Sequence, residues 1–418
     1  MNKRGTLIFR PLEALGLLFL AWYFLPMMQG YFSANVFQAA FFACFVGCLG
    51  GQVILARRRL KLSGLTLTVL CCIAFIGGMA VLGVGDAGKH VRVGLTFFTV
   101  YLLYEVGLTS AGRVRVGRWM LAMFLITALT SSIGLMENTN AARTIMHSAA
   151  DNEEATVAYM RQNIATYSFF QSTVCFIPVL MAVFRRKKWV VALGVMAIGL
   201  LMLQASFTIA LLIFAIALGL SLAYNAWQQK GYALVAGAIV MCALVAAFLI
   251  SGSEILTWLA ETINNKFISA RLLEIRDLLF LEDRMMTGGL LGRAERYGAS
   301  LQTFLTHPMG VGPKYSYKAL QDGIGYHSQI LDDLARYGVV AIAFYVMYFR
   351  GYYQLLRREW SKLGEGSVAG LVTVIYILGL TLNIGMRSGQ EAGVMFFVLP
   401  ALPEIVLQAR NRRRLRRG

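Results

Sequence analysis

His327, one of four histidines, has the residue type and the surroundings of a general base. It stands near the end of the run Gly323-Ile324-Gly325-Tyr326-His327-Ser328, where two glycines let the chain turn before a predicted membrane helix. A neutral imidazole has a reference pKa of about 6.5, so it can accept a proton from a hydroxyl near neutral pH. We predict that His327 activates a hydroxyl nucleophile. A hydrogen-bonded histidine at the membrane interface is the alternative.

Two arginines could bind an anion close to this base. Arg293 and Arg296 flank Glu295 at the start of a predicted helix, 293–305, which ends at His307-Pro308 because proline cannot donate to the preceding turn. Residues three apart lie on one helical face, and a planar guanidinium suits the oxygens of a diphosphate. The pair therefore indicates a diphosphate site, although such spacing also occurs in solvated helices.

Polar residues continue beyond His327 into the predicted helix. Asp332 and Asp333 lie within its first turns, and ionisable groups at membrane depth are costly unless they pair or face water. Asp332 either faces the His327 site or pairs with Arg336 one turn further on. We place Asp332 and Tyr326, the neighbour of His327, among the candidate substrate-binding residues.

Three further arginines are predicted on the same side of the membrane. Arg143 and Arg161 belong to the first outer loop, and Arg387 belongs to the last outer turn. Either they converge with Arg293 and Arg296 on one anionic ligand, or they extend separately to lipid headgroups. All six cysteines lie in apolar runs and are expected to be packing residues. We predict no metal ion and no other cofactor.

The elements that position these residues are predicted to be membrane helices. Of 418 residues, 58% are hydrophobic and 14% are charged, and the mean hydropathy is +0.63. A soluble domain has about 25% charged residues. The composition excludes soluble, disordered, fibrous and disulfide-stapled proteins, and predicts an all-α polytopic membrane protein.

Twelve apolar runs are long enough for a membrane span, which needs about 20 residues. They lie at 9–28, 34–55, 64–84, 92–110, 117–135, 164–184, 189–206, 207–226, 232–251, 328–349, 367–387 and 389–408. Residues 1–251 then carry helices one to nine, with an outer loop at 136–163. A large outer loop at 252–327 holds amphipathic helices near 255–259 and 272–280. Residues 328–408 carry helices ten to twelve, and 409–418 form a basic tail.

The basic residues predict the orientation. Most of the 39 lysines and arginines fall in short segments on one side of the predicted spans, which is the cytoplasmic side by the positive-inside rule. Both termini are then cytoplasmic, and His327 faces the exterior. The net charge of +18 is explained by membrane orientation and lipid headgroups, so we expect no nucleic-acid partner.

Two stretches resemble the signature of the O-antigen ligase and polysaccharide polymerase superfamily (WaaL and Wzy proteins). The first runs from Gly292-Arg293-Ala294-Glu295-Arg296-Tyr297 to His307-Pro308-Met309-Gly310-Val311-Gly312. The second is Tyr326-His327-Ser328-Gln329-Ile330-Leu331-Asp332-Asp333-Leu334-Ala335-Arg336-Tyr337-Gly338. The twelve-span layout with a large late outer loop is also similar to that superfamily.

The resemblance implies a metal-independent glycosyltransferase with a GT-C-like fold in the bacterial cytoplasmic membrane. Such an enzyme moves a glycan from undecaprenyl diphosphate to a hydroxyl at the periplasmic face. His327 resembles the catalytic base and Arg293 a diphosphate-binding arginine, with Arg143 and Arg161 as weaker candidates. The implied partners are the undecaprenyl-diphosphate-linked oligosaccharide, membrane lipids, and possible accessory proteins, namely a chain-length regulator and a flippase.

The motif around His327 is more similar to the polymerase branch, in which the acceptor is another lipid-linked repeat unit. The alternative is a ligase that transfers the glycan to lipid A–core. A secondary transporter or lipid flippase is a third hypothesis, but its polar chemistry would be expected near the bilayer midplane. One departure from the superfamily is the turn at 204–207, which lacks the arginine that many relatives carry there.

Overall fold

A computed structural model describes most of the chain as helices. It describes residues 17–32, 43, 47, 63–82, 84, 101, 110–138, 141–146, 153–205, 207–228, 251, 253–262, 269–270, 272–273, 276–277, 289–313, 322–383 and 389–415. No strand occurs among these residues. The predicted all-α class is confirmed.

The helices are numbered along the chain. The first nine are α1 Pro26–Tyr31, α2 Gly64–Val81, α3 Ser110–Glu137, α4 Ala141–Met146, α5 Glu153–Arg161, α6 Tyr167–Val174, α7 Phe176–Val183, α8 Lys188–Ala205 and α9 Thr208–Gln228. The others are α10 Gly289–Thr306, α11 Gln329–Tyr337, α12 Val339–Trp360, α13 Val368–Leu382, α14 Gly389–Ala392 and α15 Leu399–Leu415. A 3₁₀ turn at Ser361–Leu363 follows α12, and a π-helix at Gly393–Val398 joins α14 to α15.

Six of the described helices are long and apolar enough to cross a membrane. They are Gly64–Val81, Gly112–Glu137, Lys188–Ala205, Ile209–Ala226, Val339–Leu363 and Gln390–Asn411. Shorter apolar helices occur at Tyr167–Val183 and Val368–Leu382. The chain is therefore a multi-pass membrane protein. The predicted spans 34–55, 92–110 and 232–251 lie almost entirely outside the described residues, so the full count of twelve and the domain boundaries stay predictions.

The predicted tenth span, 328–349, is wrong in its first part. Gly338 has φ +59 and separates a short amphipathic helix, α11, from the apolar helix α12. The turn after α10 packs into this break, where the Val339 amide donates to the Pro308 carbonyl at 2.9 Å. Only glycine adopts this φ without strain, and a Cβ at Gly338 would lie 2.0 Å from the same carbonyl. The polar half of the run thus forms a separate helix outside the span.

The predicted sixth span, 164–184, consists of two short helices. The break lies at Cys175, between α6 and α7. Pro178 has no N–H for the carbonyl of Val174, so it removes one bond of the helical ladder at this point. Apolar length alone does not reveal such a break.

Close packing of α12 against α2 and α13 builds the core of the bundle. A Cβ at Gly351 would lie 3.0 Å from the backbone of Leu65 in α2, which is the close backbone approach that small residues permit between membrane helices. Buried tyrosines lie on a neighbouring face of α12, where the hydroxyls of Tyr348 and Tyr376 are 3.2 Å apart. This helix begins at Val339, after α11, the helix that follows the His327 loop.

Candidate active site

The His327 loop lies against α10, the helix that carries Arg293 and Arg296. The loop connects to α11, and α10 packs along α11. Gly325 touches the backbone of Arg296, since a Cβ there would lie 2.1 Å from the Arg296 carbonyl oxygen. Thr303, two turns further along α10, donates to the carbonyl of Gly323 at 2.6 Å. The glycines therefore allow the loop to pack closely against α10.

Asp332 holds the backbone on both sides of His327. Its carboxylate accepts the amides of Tyr326 at 3.2 Å and Ser328 at 3.3 Å. It also accepts the hydroxyl of Ser300, at 2.7 Å, and the same hydroxyl accepts the amide of Gly325 at 2.8 Å. Burial raises the pKa of Asp332, and the Ser300 hydrogen bond opposes that rise. The carboxylate thus ties the loop to α10.

His327 is half-buried and makes its hydrogen-bond contacts through Nδ1. This atom lies 3.2 Å from the Gly325 carbonyl and 3.3 Å from Nη1 of Arg296. Burial lowers the pKa of His327, and the positive charges of Arg296 and Arg293 lower it further. The imidazole is therefore neutral at neutral pH. When Nδ1 carries the proton and donates to Gly325, Nε2 presents a lone pair that can accept a proton.

Arg293 lies one turn before Arg296 and has unsatisfied hydrogen-bonding capacity. Its Nη1 is buried and has no hydrogen-bond partner in the structure. Burial raises the pKa of Tyr297, and the adjacent Arg293 guanidinium opposes that rise. Arg293 also acts electrostatically on Tyr167, whose buried hydroxyl likewise has no hydrogen-bond partner. A buried guanidinium nitrogen and a buried hydroxyl, each without a hydrogen-bond partner, are suited to an anionic ligand.

Arg336 is an ion-pair partner of Asp333, not of Asp332. Its Nη1 donates to the Asp333 carboxylate at 3.0 Å, which also accepts the Tyr345 hydroxyl at 2.6 Å. The Arg336 guanidinium lies 5.2 Å from the ring centre of Tyr326. Tyr326 has φ +57, an unusual conformation for a residue with a side chain. The aromatic contact stabilises this turn next to His327.

The other predicted arginines are not brought to His327 by the contacts that the structure describes. Arg161 is exposed, donates to the carbonyl of Gly30 at 3.3 Å and lies 5.3 Å from the ring centre of Tyr31. For Arg143 the structure describes only a backbone position in α4, and Arg387 lies outside the described residues. Their proposed ligand contacts stay predictions.

Sequence analysis missed Ser300, Tyr297 and Tyr167. Ser300 lies four residues after Arg296, so helical spacing places it next to Arg296 on α10; this signal was available. Tyr297 donates to the carbonyl of Leu382 at 2.6 Å, a contact that only the tertiary structure reveals. Among the described residues, no three His, Cys, Asp or Glu side chains gather as metal ligands.

A comparison with family models matches residues 192–346 to the model Wzy_C, described as O-antigen ligase. The chain carries an O-antigen ligase family domain. This O-antigen ligase domain runs from α8 into α12, so it includes Arg293, Arg296 and His327 and excludes Arg161. A comparison with curated proteins found no match.

The O-antigen ligase domain confirms the predicted superfamily. It indicates a glycosyltransferase-type enzyme of polysaccharide biosynthesis, with lipid-linked oligosaccharides as the implied substrates and membrane lipids around it. The match covers both polymerases and ligases and does not separate them. The turn that lacks the arginine of many relatives lies close to the site, because the Phe207 ring packs against Tyr167 at 4.6 Å.

Proposed function

We propose that the chain is a polysaccharide polymerase of the Wzy type. It transfers a glycan from undecaprenyl diphosphate to a hydroxyl of a second lipid-linked repeat unit. The reaction takes place at the periplasmic face of the bacterial cytoplasmic membrane, in a GT-C-like fold with both termini in the cytoplasm. A flippase would deliver the substrate, and a separate chain-length regulator would act beside the enzyme.

The observation that carries the proposal is the pairing of a neutral imidazole with a guanidinium whose buried Nη1 has no hydrogen-bond partner. His327 is kept neutral by burial and by the nearby arginines, and Arg293 presents a buried Nη1 without a hydrogen bond. Arg293 lies on α10, one turn before Arg296, which contacts the His327 loop, and its positive charge acts on the His327 imidazole. A base and an anion-binding cation at one place are what transfer from a diphosphate to a hydroxyl requires.

The reaction follows from these positions. The acceptor hydroxyl gives its proton to Nε2 of His327 as its oxygen attacks the anomeric carbon of the donor glycan. The bond from that carbon to the diphosphate oxygen breaks, and the electron pair stays on the diphosphate. Arg293 stabilises the departing charge, and Tyr167 donates a hydrogen bond to it. Attack opposite to the leaving group inverts the anomeric configuration.

Arg296 and Asp332 have supporting roles in this proposal. Arg296 contacts Nδ1 of His327 at 3.3 Å, so it keeps the imidazole neutral by charge repulsion and lies at the edge of the anion site. Asp332 fixes the loop backbone on both sides of the base. Tyr326, in its strained turn, borders the space in which the acceptor binds. Arg143, Arg161 and Arg387 are proposed as outer contacts for the donor.

A ligase is the second candidate, because the matched family model is described as O-antigen ligase. It would use the same base and the same donor, and the acceptor would be a sugar of lipid A–core. The similarity of the His327 motif to the polymerase branch favours the polymerase.

Purified protein in liposomes would be mixed with lipid-linked repeat units isolated from cells that lack this gene, which accumulate them. One reaction contains the repeat units alone, and a second also contains lipid A–core. A ladder of longer lipid-linked glycans in the first reaction supports the polymerase, whereas product only on lipid A–core replaces it with the ligase. Absence of transfer in both reactions contradicts the proposal.

His327→Ala provides the mechanistic arm of this experiment. Loss of a general base costs about 10²–10⁴-fold in rate, so product should fall by that factor while the protein still inserts. His307→Ala is the matched control, because His307 is exposed and contacts only the Thr306 hydroxyl through its side chain. Wild-type transfer by His327→Ala would rule out its role as the base.

A further inference from the structure

The outward side of α10 has an exposed apolar stripe, which the described residues of the protein leave uncovered. We define the apolar stripe as Leu301 and Leu305, which lie one turn apart on α10, together with Met309 in the turn that follows the helix. Their exposed fractions are 44%, 67% and 76%. Gly298 continues the stripe toward the start of α10, and a Cβ there would meet no atom within 4 Å. The stripe is therefore open along the helix.

A polar row lies next to the apolar stripe on the same helix. Glu295, Gln302 and Thr306 are exposed and lie about 100° around the helix from the apolar stripe at 100° per residue. The opposite face of α10 carries Arg296 and Ser300, which contact the His327 loop and α11. One side of α10 thus faces protein, and the outward side is divided between an apolar half and a polar half. This division is typical of a helix that lies in the membrane interface.

The apolar stripe is continuous with the lipid-facing surface of a membrane helix. The Pro308 carbonyl accepts the amide of Val339, the first residue of the membrane-spanning helix α12, and a Cβ at Gly338 would lie 2.5 Å from the carbonyl carbon of Met309. Val339, Val340 and Val346 are exposed apolar residues of α12. Met309 therefore stands at the head of the α12 surface that faces lipid, and Leu305 and Leu301 extend that surface sideways.

We propose that α10 is inserted by the apolar stripe into the lipid leaflet nearest His327. The apolar stripe contacts the acyl chains of the bilayer, and the polar row faces the headgroups and water. Insertion fixes the height of α10, so Arg293 and Arg296 lie at the level of the lipid headgroups. Lipid contact by α10 does not depend on the reaction at His327. Either proposal can therefore be contradicted while the other holds.

Site-directed spin labelling measures this contact directly. Nitroxide labels are placed on single cysteines, Leu301→Cys, Leu305→Cys and Met309→Cys, in a chain whose six native cysteines are replaced by alanine. The protein is studied in nanodiscs of phosphatidylethanolamine and phosphatidylglycerol. Collisions with oxygen, which concentrates in acyl chains, are compared with collisions with a water-soluble nickel chelate. Gln302→Cys and Thr306→Cys are the matched controls on the polar row.

The proposal expects an oxygen-to-nickel accessibility ratio several-fold higher on the apolar stripe than on the polar row. High nickel accessibility at all five positions would show that the apolar stripe faces water and would overturn the proposal. Protection of the apolar stripe from both reagents would show cover by protein and would also overturn it. Neither outcome depends on whether the protein transfers glycans.

A photo-crosslinking experiment keeps the proposal testable if the cysteine-free chain does not fold. A benzophenone amino acid replaces Leu305 in one variant and Thr306 in another, with all native cysteines kept. Irradiation in the same nanodiscs should give phospholipid adducts at position 305 and several-fold fewer at position 306, as read by mass spectrometry. Equal lipid adducts at the two positions, or adducts only to protein at position 305, would contradict insertion.

Discussion

The two ends of α12 carry the same kinds of charged residue in opposite surroundings. Before its first residue, Arg336 and Asp333 form an ion pair with side chains that are 1% and 14% exposed. At its far end, Arg358 and Lys362 pair with Glu359, and these two basic side chains are 56% and 42% exposed. The first group lies beside the His327 loop, and the second borders a surface pocket that Arg113 and Glu404 also line.

The two ends of α12 differ in the groups that their charged side chains bind. At the His327 end, each acid also accepts hydrogen bonds from other groups: Asp333 from Tyr345 and Gln329, and Asp332 from the loop backbone. These hydrogen bonds satisfy the two carboxylates, and those of Asp332 fix the loop. At the far end, the pairs are local and partly solvated, and such pairs contribute only about 0–1 kcal/mol. Charge therefore positions the site at one end and has little structural role at the other.

Arg293→Ala should lower the rate of glycan transfer far more than a matched change at the far end of α12. Loss of one preorganised donor to a developing negative charge costs about 10²–10³-fold in rate, and Arg293 has the unpartnered Nη1 that would make this contact. The measurement is the rate of glycan transfer in liposomes at equal amounts of inserted protein.

Arg358→Ala is the matched control for this change. It removes an arginine from the far end, where the ion pair is exposed, so the rate should change by less than about threefold. Equal losses in the two variants would mean that net charge, not position, determines the rate, and the contrast between the two ends would fail.

The helices around the site were largely predictable, and their breaks were not. Apolar length identified α2, α3, α8 and α9, because a bilayer demands about 20 such residues. The break at Gly338 depends on the turn at Pro308, about 30 residues away in sequence, whose carbonyl occupies the space of a Cβ. The run 328–349, which was predicted as one span, therefore contains two helices. Only the tertiary contact reveals the break between them.

Within the site, the sequence indicated which residue types to consider, but it did not indicate how they are positioned. His327 and Arg296 were identified from residue type and motif, and the structure brings them to 3.3 Å. Sequence spacing left Asp332 with two alternatives, the site or Arg336. The structure gives Arg336 to Asp333 and turns Asp332 toward the loop. Asp332 and Asp333 have the same side chain. The face of α11 on which each one lies therefore determines its partners.

Asp332→Asn should disturb the loop without removing a reacting group. The amide has one acceptor oxygen where the carboxylate has two, so one of the three donors from Ser300, Tyr326 and Ser328 loses its partner. Loss of a buried hydrogen bond to a charged group costs about 2 kcal/mol. We expect a lower melting temperature and a fall in kcat that is larger than any change in KM, read from thermal unfolding and transfer kinetics.

Glu359→Gln is the matched change at the far end of α12. It also converts a carboxylate to an amide, but the basic partners Arg358 and Lys362 remain partly in water. We expect less than about 1 kcal/mol of destabilisation and unchanged kcat. If Glu359→Gln lowered kcat as much as Asp332→Asn, loop positioning would not be the reason for either effect.

Among the three changes near His327, Arg296→Gln should have the smallest effect on rate and a distinct effect on its pH dependence. Burial lowers the pKa of His327, and the positive charge of Arg296 lowers it further. The base works only when deprotonated, so the wild-type rate should fall on the acidic side, below the usual imidazole range near about 6.5. Removal of the positive charge raises the pKa of His327 back toward that range. The acidic limb of kcat/KM, which reports the free enzyme, should therefore move to higher pH in Arg296→Gln and stay in place in Arg358→Gln. A limb that stays in place or moves to lower pH in Arg296→Gln would mean that the contact between Arg296 and Nδ1 does not control the protonation of the base.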